Sequence, residues 1–335
     1  MNLYRAELRR LVKRRFVRYL VFASLLVLAI VAVGTFLGNQ KVDPQAVAEA
    51  EQAAQQQYEL SLADSERWRT ECEESKRSGA ADTGGFPADC AAITPPTRDM
   101  FRAQMFLPPT FEFRDQFRAT LYTFVSLLLL TFFAVGASFV GAEWTSGGMM
   151  NLLLWRPRRL QVLLTKLAAL LTGVLAVTVP AALAWTAGFW LIATNRGVTA
   201  GMTAGAWRSV ALTEVRSVVL VVAAAMVGFG LATIGRHTAL ALGGALGFLV
   251  VVQAGLGFLA GEVRYPELLI IPTYWIAWMD SSMEIIDWRA CGGGSAGCVP
   301  PSIEVTWLHT GGLIAVVVLA VLGVAAWTMR RRDIT

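Results

Sequence analysis

Six long apolar runs constrain this chain more than anything else in it. They are Tyr19–Leu37, Thr120–Val140, Leu163–Thr194, Ser217–Ile234, Thr238–Ala260 and Trp307–Trp327. An α-helix rises about 1.5 Å per residue, so each run is long enough to cross a hydrocarbon layer roughly 30 Å thick. Backbone polar groups in lipid must be satisfied internally, which leaves helices and closed barrels. The runs are continuous rather than alternating, and a barrel is a poor fit to that pattern. Charged residues make up 16% of the chain, against about 25% in soluble domains. The expected fold class is all-α: a polytopic membrane protein with six transmembrane helices and a large helical extracellular loop.

Charge gives the runs a sidedness. With the N-terminus in the cytoplasm and six crossings, the inward segments hold Arg5, Arg9, Arg10, Lys13, Arg14, Arg15, Arg18, Arg156, Arg158, Arg159, Lys166, Arg236 and Arg330–Arg332. Their only acids are Glu7, Glu143 and Asp333, whereas acids outnumber bases in the outward segments. This is the positive-inside pattern, and it places both termini in the cytoplasm of a cell-membrane protein. The net charge of +5 therefore points to anionic lipid head groups rather than to nucleic acid. The first run lacks a cleavage site followed by polar mature sequence, so it reads as a retained span and not a signal peptide.

The cysteines follow the same division. Cys72, Cys90, Cys291 and Cys298 all fall in outward segments, the oxidising side where disulfides persist. Cys72–Cys90 and Cys291–Cys298 is the simplest of three connectivities. A zinc site is the rival, but there is no CxxC, and the only histidines, His237 and His309, lie apart.

The expected layout follows. Residues 1–18 form a cytoplasmic amphipathic interfacial helix, with Leu3, Leu8, Leu11, Val12 and Phe16 on its apolar side; a plain positive-flanked anchor is the alternative. Residues 19–37 are the first span, and 38–118 a partly helical extracellular loop. In that loop Asp43-Pro44 starts a helix running to about Glu74, with Val47, Ala50, Ala54, Tyr58 and Leu62 as its weakly apolar side. Residues 119–260 hold spans two to five, with a cytoplasmic segment at 143–162. Pro180 tilts or kinks the third span. Glu214 and Arg216, two apart, do not face each other along a helix. Gly243 and Gly247 make one GxxxG spacing. Residues 261–306 are an extracellular re-entrant or interfacial element and loop. Its apolar stretch Pro266–Trp278 is too short to cross, and Trp275, Trp278 and Trp288 suit the head-group zone. Residues 307–329 are the sixth span and 330–335 a cytoplasmic tail.

Most catalytic chemistry has no footing here. There is no Walker A motif, HExxH or GxSxG, and the four lysines are Lys13, Lys41, Lys76 and Lys166. The chain is expected not to be an enzyme and to carry no metal or cofactor. The six runs themselves are almost free of ionisable groups, which an ion-coupled transporter normally needs. That favours a path whose energy is supplied elsewhere.

The most specific stretch is 141-GAEWTSGGMMNLLLWRPRRLQVLLTKLAALL-171. Thr145 or Ser146 is expected to cap a helix over Gly147–Trp155, which Pro157 ends. A short helix between two spans acts as a lever when a partner pushes on it. A basic connector that merely anchors topology has the same composition.

This stretch resembles the membrane permease of type-2 ABC exporters, in the form seen in actinobacterial members. The likeness is carried by Glu143, Thr145, Ser146, Gly147, Arg158, Arg159 and Lys166. The six-span plan, the amphipathic N-terminal helix and the short apolar element before the last span accord with it. The resemblance implies a permease subunit paired with a separate P-loop ATPase that binds ATP and Mg, and with a second permease chain, identical or paralogous. Those seven residues would couple the permease to the ATPase. The path would lie between the second and fifth spans of facing subunits, at Phe124, Leu128, Phe132, Leu246 and Val250. Such a lining suits a hydrophobic or amphipathic cargo: a drug, lipid or peptide. The alternative is a membrane-anchored scaffold or sensor that binds an envelope partner through its extracellular loop. The loop with Cys72 and Cys90 departs from the minimal members of the family.

Overall fold

Apolar stretches with few helix breakers form the helices expected of them. The computed structural model describes residues 3–78, 85–87, 89–155, 158–259, 264–291 and 298–331. Arg156, Pro157, Arg332, the Trp288 side chain and much of the two cysteine loops lie outside the described residues. Among the described residues six helices are long and apolar enough to cross a membrane: α2 (Arg15–Gly38), α4 (Phe113–Thr145), α6 (Arg159–Arg196), α7 (Ala204–Gly235), α8 (Thr238–Leu259) and α10 (Trp307–Arg331). This is the architecture of a multi-pass membrane protein. Four shorter or more polar helices complete the set: α1 (Leu3–Lys13), α3 (Pro44–Arg77), α5 (Gly148–Trp155) and α9 (Ile271–Asp280).

The chain divides into two compact units. The first comprises Met1–Val31, Arg114–Gly188 and Gly201–Thr335; the second comprises Ala32–Phe113 and Phe189–Ala200. In the first, small residues decide how closely helices approach. A Cβ on Gly136 would overlap the Ala225 carbonyl, and one on Gly228 the Phe133 carbonyl, so α4 and α7 cross at backbone contact. A Cβ on Gly230 would meet the Val321 side chain of α10 at 2.5 Å. Glycine pairs of this kind let helices exchange side-chain volume for close packing. The spacing singled out in the sequence is elsewhere: nothing lies within 4 Å of a Cβ built on Gly243, Gly244 or Gly247. Pro180 lies inside α6, which continues through it.

Between α8 and α10 the stretch expected to dip into the outer leaflet or lie along it forms α9, which packs on α7 and α10. Thr273, Ala277, Trp278 and Met279 of α9 are buried, and Trp278 Nε1 donates to the Arg216 carbonyl of α7 at 2.9 Å. A Cβ on Gly311 of α10 would reach the Trp278 ring at 2.9 Å. After α9 come two strands, β3 (Ser282–Ile286) and β4 (Ser302–Thr306), paired antiparallel from Ser282↔Thr306 to Ile286↔Ser302. Ala277, Ile285 and Val305 form their small core. Asp287, at the end of β3, takes a 2.9 Å bond from Arg264, which raises the arginine's already high pKa. The Cys291–Cys298 disulfide closes the segment between the strands.

The second unit is built on α3. Asp43 caps it, its carboxylate accepting from Ala46 N at 2.7 Å, and Pro44 occupies the first turn. Ala50, Ala54 and Cys72 are buried, while Val47 is exposed. The helix is covered by the chain that returns along it. Phe101 stacks on Tyr58 at 6.0 Å, Arg98 reaches Gln55 and the Tyr58 ring, and the Cys72–Cys90 disulfide fixes the far end. At the near end β1 (Phe111–Glu112) pairs in parallel with β2 (Gly197–Val198). A Cβ on Gly197 would overlap the Phe111 carbonyl, so that pairing requires glycine.

The two glycine sites make opposite predictions. Gly228→Ala should lower the thermal midpoint in detergent, because overpacking against backbone costs about 1–3 kcal/mol. Gly243→Ala, with open space, should hold or raise it, since alanine is favoured over glycine by roughly 1 kcal/mol in a helix. Equal shifts would show that the α4–α7 crossing is not tight.

Candidate functional site

The short helix singled out in the sequence hangs between α4 and α6, and the ends of those two helices carry opposite charges. Glu143 lies in the last turn of α4; Lys166 lies two turns into α6. The structure brings them together, with Lys166 Nζ 2.5 Å from Glu143 Oε2. Lys166 is 0% exposed and Glu143 7%. The same ammonium donates to Glu7 Oε2 of α1 at 2.6 Å, and Glu7 is also 0% exposed.

Two arginines close the cluster. Arg10 Nη1 lies 3.0 Å from Glu7 Oε1, and Arg14 Nη2 2.8 Å from Glu143 Oε1. The order is therefore Arg10, Glu7, Lys166, Glu143, Arg14, with the sign alternating at every step. Arg14 Nη1 also donates to the Ser138 carbonyl at 2.8 Å, and the Phe139 ring faces both Arg14 and Lys166. Each ion thus has the partners that burial demands.

The cluster explains how α1 packs. Tyr4, Glu7, Leu11 and Arg14 recur every three or four residues and so share one side of a helix. Tyr4 bonds Thr172 at 2.8 Å, and Leu11 fills the space over Gly173, both on α6. Val12 and Phe16, expected on the apolar side of an interfacial helix, are 59% and 51% exposed and so are open to lipid. Glu7 faces the bundle instead, because the buried ammonium of Lys166 needs a carboxylate beside it.

The connection from α4 to α5 also differs from expectation. Thr145 Oγ1 donates back to the Gly141 and Ala142 carbonyls, at 3.3 and 3.1 Å, and Ser146 Oγ to Glu143 O. Both hydroxyls therefore close the end of α4 and do not cap α5. Gly147, at φ +71°, makes the turn that only glycine adopts freely, and α5 starts at Gly148. On α5, Met149 is buried, Met150 is 40% exposed and Leu154 82% exposed. Arg158 is exposed, and Arg159 Nη1 donates to the Met329 carbonyl near the end of α10 at 3.4 Å. Arg236, which ends α7 at φ 54°, lies 4.8 Å from the Trp144 ring.

The five positions expected to line a path between facing subunits differ in exposure within one chain. Phe124, Leu128 and Phe132 are buried within the chain, Phe124 against Trp185 at 5.6 Å, whereas Leu246 and Val250 are 65% and 59% exposed. The first three are packing residues in this conformation. Glu214 bonds Thr186 of α6, and Arg216 bonds Ser281 Oγ at 2.7 Å and the Met279 carbonyl at 3.4 Å.

Glu7, Arg10 and Arg14 were not singled out in the sequence. The available signal was the isolation of two charges. Glu7 is the only acid in 5-RAELRRLVKRRFVR-18, and Lys166 is the only charged residue between Arg159 and Arg196. Compared with protein-family models and with curated proteins, the chain matches none.

Removing the central cation would strand two buried carboxylates. Lys166→Met is expected to destabilise the protein by about 3–5 kcal/mol, the usual effect of breaking a buried pair from one side. Arg158→Ala, exposed, should change stability by less than about 0.5 kcal/mol. Thermal unfolding of the two variants in detergent checks the difference; similar midpoints would mean that the cluster is not structural.

Proposed function

We propose that this chain is the membrane permease subunit of an ATP-driven exporter of the type-2 ABC class, with α5 as the element that receives motion from a separate P-loop ATPase. The observation that carries the reading is the ion cluster. Glu143 and Lys166 bracket α5, and Glu7 ties the N-terminal helix to the same ammonium. A displacement of α5 would therefore load α1, α4 and α6 together, because buried charges resist separation. Leu154 and Met150 give α5 an exposed apolar side, the kind of anchor that docks in a partner's groove.

In this reading the arginine-rich end faces the cytoplasm and the disulfide-bonded segments face outward, in keeping with the charge bias of the connecting segments. The partner would bind ATP and Mg. A second permease chain, identical or paralogous, would have room at α8, whose Leu246, Phe248, Val250 and Val251 are exposed. The cargo class remains hydrophobic or amphipathic, carried between facing chains. Leu246 and Val250 are available to such a path; Phe124, Leu128 and Phe132 would have to leave their packing.

Two measurements test this reading. Tagged protein purified gently from its native membranes should carry a stoichiometric P-loop ATPase, and Leu154→Asp should remove it while leaving the membrane level of the chain unchanged. Retention of the ATPase by the variant would overturn the role of α5. Absence of any ATPase from the unaltered protein, with an envelope protein bound through the α3 unit, would favour the scaffold. For sidedness, a membrane-impermeant thiol reagent applied to reduced intact cells should label Cys72; labelling only after lysis would invert the orientation.

A further inference from the structure

An apolar groove of about 420 Å³ opens where α1 turns into α2. Its walls come from three helices and the α1 elbow, and include Leu11, Val17, Leu25, Phe132, Leu170 and Val174. Along α2 it runs from Val17 to Leu25, which at 1.5 Å per residue is about 12 Å. That is most of the roughly 15 Å depth of one leaflet's hydrocarbon. The walls are almost wholly carbon, with one exception. Arg18 stands among the lining residues and is exposed.

Two other arginines of this segment are paired within the protein: Arg10 with Glu7 and Arg14 with Glu143. Arg18 has no side-chain hydrogen bond or ion pair among the described residues. An apolar slot one leaflet deep, with an uncompensated guanidinium among its walls, fits one molecule class: an anionic phospholipid. The acyl chain would occupy the slot. The arginine would take the phosphate in a charge-assisted bond. We propose that this groove is a specific anionic-phospholipid site, with Arg18 reading the head group and the α1–α2 elbow holding one acyl chain.

Leu11 is both a wall of the groove and the residue over Gly173, between Glu7 and Arg14 on α1. A lipid seated there would press on the helix that completes the ion cluster. The inference does not rest on the exporter reading, since it needs only that the six helices cross a membrane.

The test uses the full chain, purified in detergent, stripped of lipid and titrated with dioleoylphosphatidylglycerol or dioleoylphosphatidylcholine under native mass spectrometry. One equivalent of the anionic lipid should be held about fivefold more tightly than the zwitterionic one, the ratio expected of one interfacial cation. Arg18→Ala should erase that preference without weakening the zwitterionic lipid. Val174→Trp, which fills the slot, should remove the bound equivalent of both; Arg18→Glu should reverse the preference and serves where Val174→Trp does not fold. Equal retention of the two lipids would overturn the proposal, as would an unchanged preference in Arg18→Ala. Inorganic phosphate binding as tightly as the anionic lipid would also overturn it, because the slot would then contribute nothing.

Discussion

A buried ammonium between two carboxylates is the interaction on which the arginine-rich end of this protein depends. Moving a single ion out of water into a protein interior costs several kcal/mol even after relaxation. Lys166 is 0% exposed, so its charge is sustained only by what surrounds it. Glu143 comes from the preceding helix, α4, whose link to α6 carries α5; Glu7 comes from the N-terminal helix. The cluster is therefore not a decoration on a finished bundle. It specifies that the end of α4, the start of α6 and the whole of α1 occupy one place.

The dependence is strongest for α1. Eleven residues are fewer than an isolated helix needs to persist in water, and most of its residues are charged or polar. Its hold on the bundle comes from one stripe: the Tyr4 hydroxyl, the Glu7 carboxylate, the Leu11 side chain and the Arg14 guanidinium. Three of those four contacts are polar. The side of α1 that turns to the bundle is the one with Glu7 and Leu11, while Val12 and Phe16 stay exposed.

What could be read from the sequence follows the range of the interaction concerned. The six long helices depend on local composition, and all six form over the expected runs, although α7 begins at Ala204 and α4 at Phe113, well ahead of Ser217 and Thr120. So does the start of α3 at Asp43-Pro44, which is set by a side chain and a backbone three residues away. The disulfide pairing was the simplest by proximity, and it is the one found. The features not read are those that depend on contacts distant in the chain. Glu7 meets Lys166 across 159 positions, and no local pattern marks it. The β3–β4 pair joins residues on either side of a cysteine loop, in a region whose aromatic content resembled a membrane-surface element. The close α4–α7 crossing uses Gly136 and Gly228, which share no short motif, whereas the spacing that does form a motif, Gly243 and Gly247, meets open space. A motif records that a helix side is small; only the fold decides whether anything comes near it.

The charged groups inside the long helices bear on how such a protein could be driven. The apolar runs contain few of them, Lys166 being one, but the helices as formed extend past those runs and also include Glu143, Glu214 and Arg216. Ionisable groups at membrane depth ordinarily mark ion relays. A relay requires groups that hand a proton or ion from one to the next along the membrane normal. Here each has a local partner: Lys166 and Glu143 in the cluster, Glu214 on Thr186, and Arg216 on Ser281 and the Met279 carbonyl, with the Trp307 ring 5.6 Å away. Those partners tie helices to one another: α6 to α7 through Glu214, and α7 to the end of α9 through Arg216.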